Sequence, residues 1–101
     1  MTEKDSKTHG KGMDSVNREA LRRLRNIEGQ VRGIQKMVED RKYCVDILNQ
    51  ISAVRAALNR TGMIILKKHV NTCVTDAIRN GGEKQYEVID ELMRVLDRKE
   101  L

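Results

Sequence analysis

His69 and Cys73 are the residues of this sequence whose types and spacing most clearly suggest chemistry. They stand four positions apart in the stretch His69-Val70-Asn71-Thr72-Cys73. In a helix this spacing places both side chains on one face, roughly 6 Å apart, which is close enough to chelate one metal ion. Cys44 is the third candidate ligand. Two thiolates and one imidazole form a soft, low-coordinate donor set that selects Cu(I) over hard cations, whereas Zn(II) usually takes a fourth ligand.

Other roles for the two cysteines stay open on residue types alone. Inert buried thiols, a redox switch between Cys44 and Cys73, and a disulfide are the alternatives. Two cysteines without a secretory signal favour a reducing, cytoplasmic compartment, so a structural disulfide is the least supported of these. Cys44 and His69 could also form a nucleophile and base, but no oxyanion hole or third orienting group is legible. We therefore expect neither an enzyme nor a small-molecule substrate.

The distance between Cys44 and His69 constrains how they could share one ion. They are 25 residues apart, which corresponds to about 37 Å along a continuous helix. Either the helix breaks near residues 59–62 and folds back, or Cys44 is supplied by a second protomer. An antiparallel pair of such helices would cross near residue 57 or 58, where Ala56 and Ala57 allow close approach. The second solution is simpler, and it gives two equivalent sites per dimer.

Three helices account for the hydrophobic pattern. Residues 1–14 are polar and are expected to form a flexible N-terminal tail, with 15–101 as one helical domain. Asp14 or Ser15 is a suitable cap for a first helix over about 15–40. A second pattern runs without Pro from Tyr43 to the stop signal Asn80-Gly81-Gly82, passing through Gly62. A third helix over about 83–99 is expected to bury one apolar face, formed by Tyr86, Ile89, Leu92, Met93 and Leu96.

The first helix carries a cationic line almost opposite its apolar stripe. The residues of this line, which we call the basic stripe, are Arg18, Arg22, Arg25, Arg32 and Lys36. They fall within about 40° of one line at 100° per residue, and most of the helix's carboxylates lie off it. Arginine forks suit phosphate oxygens. A solvated charged face is the plainer alternative, and a membrane-surface helix is less supported because Trp and Phe anchors are absent.

Composition limits the fold class and the partners. The chain has 101 residues, a net charge of +5, no Phe, Trp or Pro, and two Tyr. So few large side chains build a thin core in a short chain, which favours a helical protein that completes its core by self-association. No apolar run is long enough for a membrane span. The basic excess suits a polyanion, and DNA contacts would then rest on phosphates and DNA shape.

Three segments together resemble the CsoR family of copper-sensing operon repressors. They are Arg23 to Ile34 (RLRNIEGQVRGI), Tyr43 to Ala53 (YCVDILNQISA), and His69 to Cys73 followed by Asp76-Ala77-Ile78. The resemblance covers about residues 15–97. It implies an all-α homotetramer, built as a dimer of antiparallel four-helix-bundle dimers. It also implies that the metal-free protein binds double-stranded operator DNA, and that Cu(I) weakens this complex and derepresses copper-resistance genes.

The resemblance also assigns roles to individual residues. Cys44 of one chain, with His69 and Cys73 of the other, matches the trigonal Cu(I) ligands. Tyr43 and Glu91 match positions around the histidine that would link ligation to helix position. Arg23 and Arg60 match basic positions used with DNA, although Arg23 lies nearer the apolar edge than the basic stripe does.

Related sensors of other inducers differ at these positions. Nickel and cobalt sensors of the superfamily replace the second cysteine with histidine and add an N-terminal histidine ligand. Here Cys73 is a cysteine, and His9 lies in the expected tail. Persulfide sensors lack the counterpart of His69, and formaldehyde sensors usually lack the full set. The complete Cys-His-Cys triad therefore favours Cu(I).

Overall fold

The computed structural model describes residues 14–98, and this part of the chain is helical without a strand. Helix α1 spans Ser15–Glu39 and helix α2 spans Cys44–His69. A π-helical turn, Val70–Val74, joins α2 to the short α3, Thr75–Asn80. Helix α4 spans Glu83–Asp97. The all-α fold class is confirmed. Residues 1–13 of the predicted tail lie outside the described residues, and α4 ends at Asp97, two residues before the predicted end near residue 99.

Local signals fix both ends of α1. The Asp14 carboxylate accepts a hydrogen bond of 2.8 Å from the backbone N–H of Asn17, which satisfies one of the unpaired donors of the first turn. Asp14 therefore belongs with the helix, one residue inside the predicted tail boundary. At the other end Arg41 takes a left-handed backbone, with φ of 56°. The N–H of Lys42 then bonds back to the Met37 carbonyl at 2.9 Å, which closes the helix as a Schellman-type cap does.

The long second helix is confirmed as one rod through Gly62. The junction residues Val70, Val74 and Thr75 all have right-handed helical backbone. The helical backbone therefore continues from Cys44 to Asn80, a length of roughly 55 Å, close to the molecule's longest extent of 57 Å. The alternative in which the helix breaks near residues 59–62 and folds back is excluded for this chain.

Two consecutive glycines end the rod. Gly81 and Gly82 have φ of 71° and 75° with ψ of −161° and −168°. This region of backbone space is accessible almost only to glycine. The turn sends α4 back across α3 and the π-turn, which places the C-terminal helix beside the end of α2 that carries His69.

The core within one protomer is thin, as the composition predicts. Helix α1 packs along α2, and the buried residues are small or β-branched, with no large side chain completely covered among the described residues. They are Ala20, Ile27, Val54, Thr61, Val74 and Ala77. The buried Thr61 hydroxyl donates to the Ala57 carbonyl at 2.9 Å, so its polar group is satisfied.

Two expectations about apolar faces need correction for the single chain. Helix α4 has no buried residue: Tyr86, Met93 and Leu96 are exposed, while Ile89 and Leu92 are half-buried. The α1 stripe is also divided, because Ala20 and Ile27 are buried against α2 and other positions are exposed. The exposed positions, seven residues apart, are Leu24, Val31 and Val38. A periodic apolar pattern predicts which side chains are buried in the assembled protein, but a single protomer buries only some of them.

Candidate metal centre and basic surface

His69 and Cys73 lie together where α2 passes into the π-turn. His69 is the last residue of α2 and is half-buried, whereas Cys73 is exposed and carries a free thiol. The two residues are on adjacent turns of one continuous helical backbone, which keeps both side chains on one side of the rod. The predicted chelating pair is therefore compatible with the local structure.

The π-turn itself was not predicted from the sequence. The Val70 carbonyl accepts the backbone N–H of Thr75, five residues on, and also its hydroxyl at 2.8 Å. The Thr72 hydroxyl donates to the Lys68 carbonyl at 2.8 Å. Val70, Thr72, Val74 and Thr75 are β-branched and weak helix formers, and this is the sequence signal for a local departure from α-helix. Single π-turns are frequent at functional sites.

Cys44 lies at the opposite end of the rod. It is the first residue of α2, exposed and with a free thiol. With the helix continuous, about 37 Å separates it from His69 along the axis. Among the described residues of one chain, no group of three or more His, Cys, Asp or Glu side chains could hold a metal ion. A single chain thus brings together two of the three predicted ligands.

The predicted surroundings of the histidine are divided in the same way. Glu91 and His69 line one open groove of about 400 Å³, together with apolar side chains of α2 and α4. Tyr43, by contrast, is the residue before α2 and is 69% exposed. It therefore sits beside Cys44 at the far end of the rod. Within one chain, Glu91 of α4 and His69 of α2 line the same groove, whereas Tyr43 adjoins Cys44.

An ion pair links the start of α1 to the end of α2, next to His69. It was not predicted from the sequence. Lys68 directly precedes His69, and its ammonium lies 2.8 Å from the Asp14 carboxylate and 3.1 Å from the Asn17 side-chain oxygen. The hydrogen bond from Lys68, with that from the Asn17 backbone, lowers the pKa of Asp14 below its usual value. Nothing in the local spacing points to this pair, because its members are far apart in sequence.

The basic stripe is more neutralised than its helical projection indicated. Arg22 lies 2.7 Å from Glu19, Lys36 lies 3.3 Å from Asp40, and Arg32 lies 3.8 Å from Glu28. These carboxylates reach the cations of the stripe because residues three or four apart are neighbours on a helix. Within residues 14–98, Arg25 and Arg60 form no ion pair.

Glu19 is the most strongly held of these carboxylates. It receives Nε of Arg22 at 3.1 Å and Nη2 of Arg22 at 2.7 Å, and Nε of Arg23 at 2.9 Å. These guanidinium groups, Arg22 first, lower the pKa of Glu19 to about 2. Arg23, which the basic stripe omitted and the family resemblance included, is part of this cluster.

Comparisons with known proteins decide the family. A family model described as metal-sensitive transcriptional repressor matches residues 16–98. This chain belongs to that family. Family membership makes it a regulator of transcription, and the resemblance noted in the sequence is confirmed.

No helix among the described residues is long and apolar enough to cross a membrane.

Relatives within the family share most of the chain. The chain is 53% identical to the copper-sensing transcriptional repressor CsoR of Bacillus subtilis (strain 168) over 76 residues, 75% of this chain and 73% of that protein. The crystal structure of the copper-sensing repressor CsoR with Cu(I) from Geobacillus thermodenitrificans NG80-2 matches with a TM-score of 0.80 and 47% identity, covering 90% of this chain and 93% of that one. The nickel-responsive transcriptional regulator InrS matches with a TM-score of 0.70 and 37% identity, over 89% of this chain and 98% of that one.

Proposed function

We propose that this family member is a Cu(I)-sensing repressor whose metal-free form binds operator DNA and whose Cu(I) form releases it. The observation that carries the proposal is the donor set. The His69 imidazole and the Cys73 thiol lie on one side of the rod. The Cys44 thiol lies at the opposite end of the rod, so only the Cys44 of another copy of the chain could reach them. Two soft sulfurs and one nitrogen suit Cu(I), and the set lacks the harder ligands that nickel favours.

The site is completed by an antiparallel partner. When two copies of the rod cross near residues 57 and 58, Cys44 of one chain lies beside His69 and Cys73 of the other. Four apolar residues exposed on α2 lie on the same side of the rod, at spacings of three and seven residues, and supply the contact. They are Leu48, Ile51, Leu58 and Ile65. With α1 added, each dimer forms a four-helix bundle, and two dimers form the tetramer.

Ligation would act on DNA through the groove shared by His69 and Glu91. His69 and Cys73 of one chain, with Cys44 of the partner, would hold the copper, and the imidazole would then be fixed against the partner's end of the rod, where Tyr43 precedes Cys44. Glu91 then transmits the position of His69 to α4. Lys68, at the end of α2, also bonds to Asp14 and Asn17 at the start of α1, the helix that carries the basic stripe. Because both thiols must ionise to bind copper, metal uptake releases protons.

Copper titration into a protein–DNA complex tests the proposed function. The DNA is a promoter fragment, and the protein is kept anaerobic and reduced. We expect salt-dependent binding that one Cu(I) per protomer abolishes, with Ni(II) much less effective. Binding that Cu(I) leaves intact would make the protein a copper buffer or a thiol-responsive repressor. The thiol-responsive repressor is the second candidate, since both cysteines are exposed and neither is joined in a disulfide. No catalytic turnover or small-molecule substrate is part of the proposal.

A further inference from the structure

Glu19 occupies the guanidinium groups that a DNA phosphate would need. Both of its oxygens are engaged: Arg22 holds them through the side of its fork, and Arg23 adds a third hydrogen bond. A planar carboxylate in this position makes the bidentate contact that arginine also makes with phosphate oxygens. The carboxylate therefore stands where an external phosphate would bind.

The neighbourhood of this cluster is polar and open. Arg22, Arg23, Asn26 and Gln30 line a cleft of about 190 Å³ between α1 and α2. Amide side chains such as Asn and Gln also bond to phosphate and sugar in DNA complexes. The Glu19 side chain is 39% exposed and that of Arg22 is 59% exposed. Exposed ion pairs contribute little stability, so this one can open without disturbing the fold.

Glu19 differs from the other carboxylates of α1. Glu28 reaches a single arginine at 3.8 Å, with both side chains about two-thirds exposed. Glu39 forms no ion pair with any residue in the described part of the chain. Glu19 alone on this helix bridges two arginines, and they include Arg23, which lies beside the cleft.

We propose that Glu19 is an internal competitor for DNA phosphate, occupying Arg22 and Arg23 in the unbound protein and yielding them when DNA binds. The inference rests on the proposed function, because it takes the surface of α1 to be the DNA-binding surface. Displacing Glu19 opposes every DNA complex equally, whatever the sequence. The residue thus lowers overall affinity and leaves base discrimination unchanged. When the DNA affinity of a repressor is already lowered in this way, a smaller further loss of affinity on copper binding is enough to release it from the operator.

Charge-neutral variants test the competition. Glu19→Gln is compared with Glu39→Gln, which removes the same charge from the same helix without opening an ion pair. Binding of each protein to a mixed-sequence DNA duplex is followed by fluorescence anisotropy over a range of salt concentrations. We expect Glu19→Gln to bind roughly threefold to tenfold more tightly, with a steeper salt dependence, and Glu39→Gln to show a smaller gain. In a background carrying Arg22→Gln and Arg23→Gln, the advantage of Glu19→Gln should vanish.

The outcomes separate three cases. If the unmodified protein binds duplex and Glu19→Gln binds equally or more weakly, Glu19 positions the arginines and the competition is wrong, while the proposed function stands. If the two variants gain equally, the effect is overall charge and the competition is again wrong. If neither the unmodified protein nor Glu19→Gln binds the mixed-sequence duplex, α1 has no general phosphate-binding surface and the competition is wrong, while the promoter titration decides the proposed function separately. Thermal unfolding and a second variant, Glu19→Ser, check that any loss of binding is not loss of fold.

Discussion

At the scale of single residues, Asp14 has two separable roles. Its carboxylate caps α1 through the Asn17 N–H, and it pairs with Lys68 beside the metal-ligand segment. Capping depends on a side-chain oxygen, which Asn also supplies, whereas the ion pair depends on charge. Asp14→Asn and Asp14→Ala therefore divide the two contributions.

We expect Asp14→Ala to lose about 1 kcal/mol of unfolding free energy and Asp14→Asn less than that. Lys68 holds the pKa of Asp14 below its usual 3.8. A carboxylate with a depressed pKa in the folded state stabilises the protein above its ordinary pKa and loses that contribution as the pH falls through the folded value. Below about pH 4, the unfolding free energy of Asp14→Asn should therefore fall less steeply with decreasing pH than that of the parent. Urea unfolding at several pH values measures this, and identical pH profiles would show that the ion pair contributes nothing.

At the scale of elements, the π-turn is the feature that sets how the two ligands of one chain face the partner. Thr75 supports it by bonding twice to the Val70 carbonyl. The extra residue in this turn also rotates α3, and with it the start of α4, relative to a uniform α-helix. The turn therefore links the ligand pair to the helix that carries Glu91.

Thr75→Val removes the hydroxyl and keeps the branched shape. We expect a loss of roughly 1 kcal/mol in unfolding free energy and weaker Cu(I) binding, measured by competition with a chelator. Thr61→Val makes the same chemical change at a buried hydroxyl far from the ligands. That control should lower stability and leave Cu(I) affinity unchanged. Equal Cu(I) affinities in the two variants would show that the Thr75 hydroxyl does not support the site.

The elements themselves could be predicted closely from the sequence, because their signals are local. The Asp14 cap, the long rod and the two-glycine stop depend on residues within one or two turns. The π-turn could not be predicted, because its β-branched residues lower helix propensity without specifying where the extra residue goes. For the site, the His69–Cys73 spacing predicted the pair within one chain. That Glu91 and His69 line one groove could not be predicted, because the position of α4 depends on the geometry of the turn at Gly81 and Gly82.

At the scale of the whole molecule, the exposed apolar positions indicate an incomplete unit. Leu24, Val31 and Val38 repeat every seven residues on α1, which is the spacing of knobs-into-holes packing. Leu58 lies at the expected crossing of two rods and is 46% exposed. Sequence periodicity identified these positions as apolar, but it could not tell cover by the same chain from cover by a partner.

Leu58→Glu tests that partner surface. On a two-fold axis, two buried carboxylates would face each other in the dimer, and this repulsion should dissociate it. Sedimentation velocity should show monomers, with Cu(I) affinity reduced in parallel. Leu58→Met conserves volume and should stay associated. An assembled Leu58→Glu protein would place the interface elsewhere.

The central claim is that each copper is shared by two chains, and mixing two inactive variants tests it most directly. A Cys44→Ser chain lacks one ligand of each site and a Cys73→Ser chain lacks another, so neither homodimer has a complete set. In a heterodimer, Cys44 of the second chain meets His69 and Cys73 of the first. After unfolding and refolding the two together, we predict one high-affinity Cu(I) per heterodimer, measured anaerobically against a chelator. A mixture that binds no more copper than the two variants apart would contradict the account.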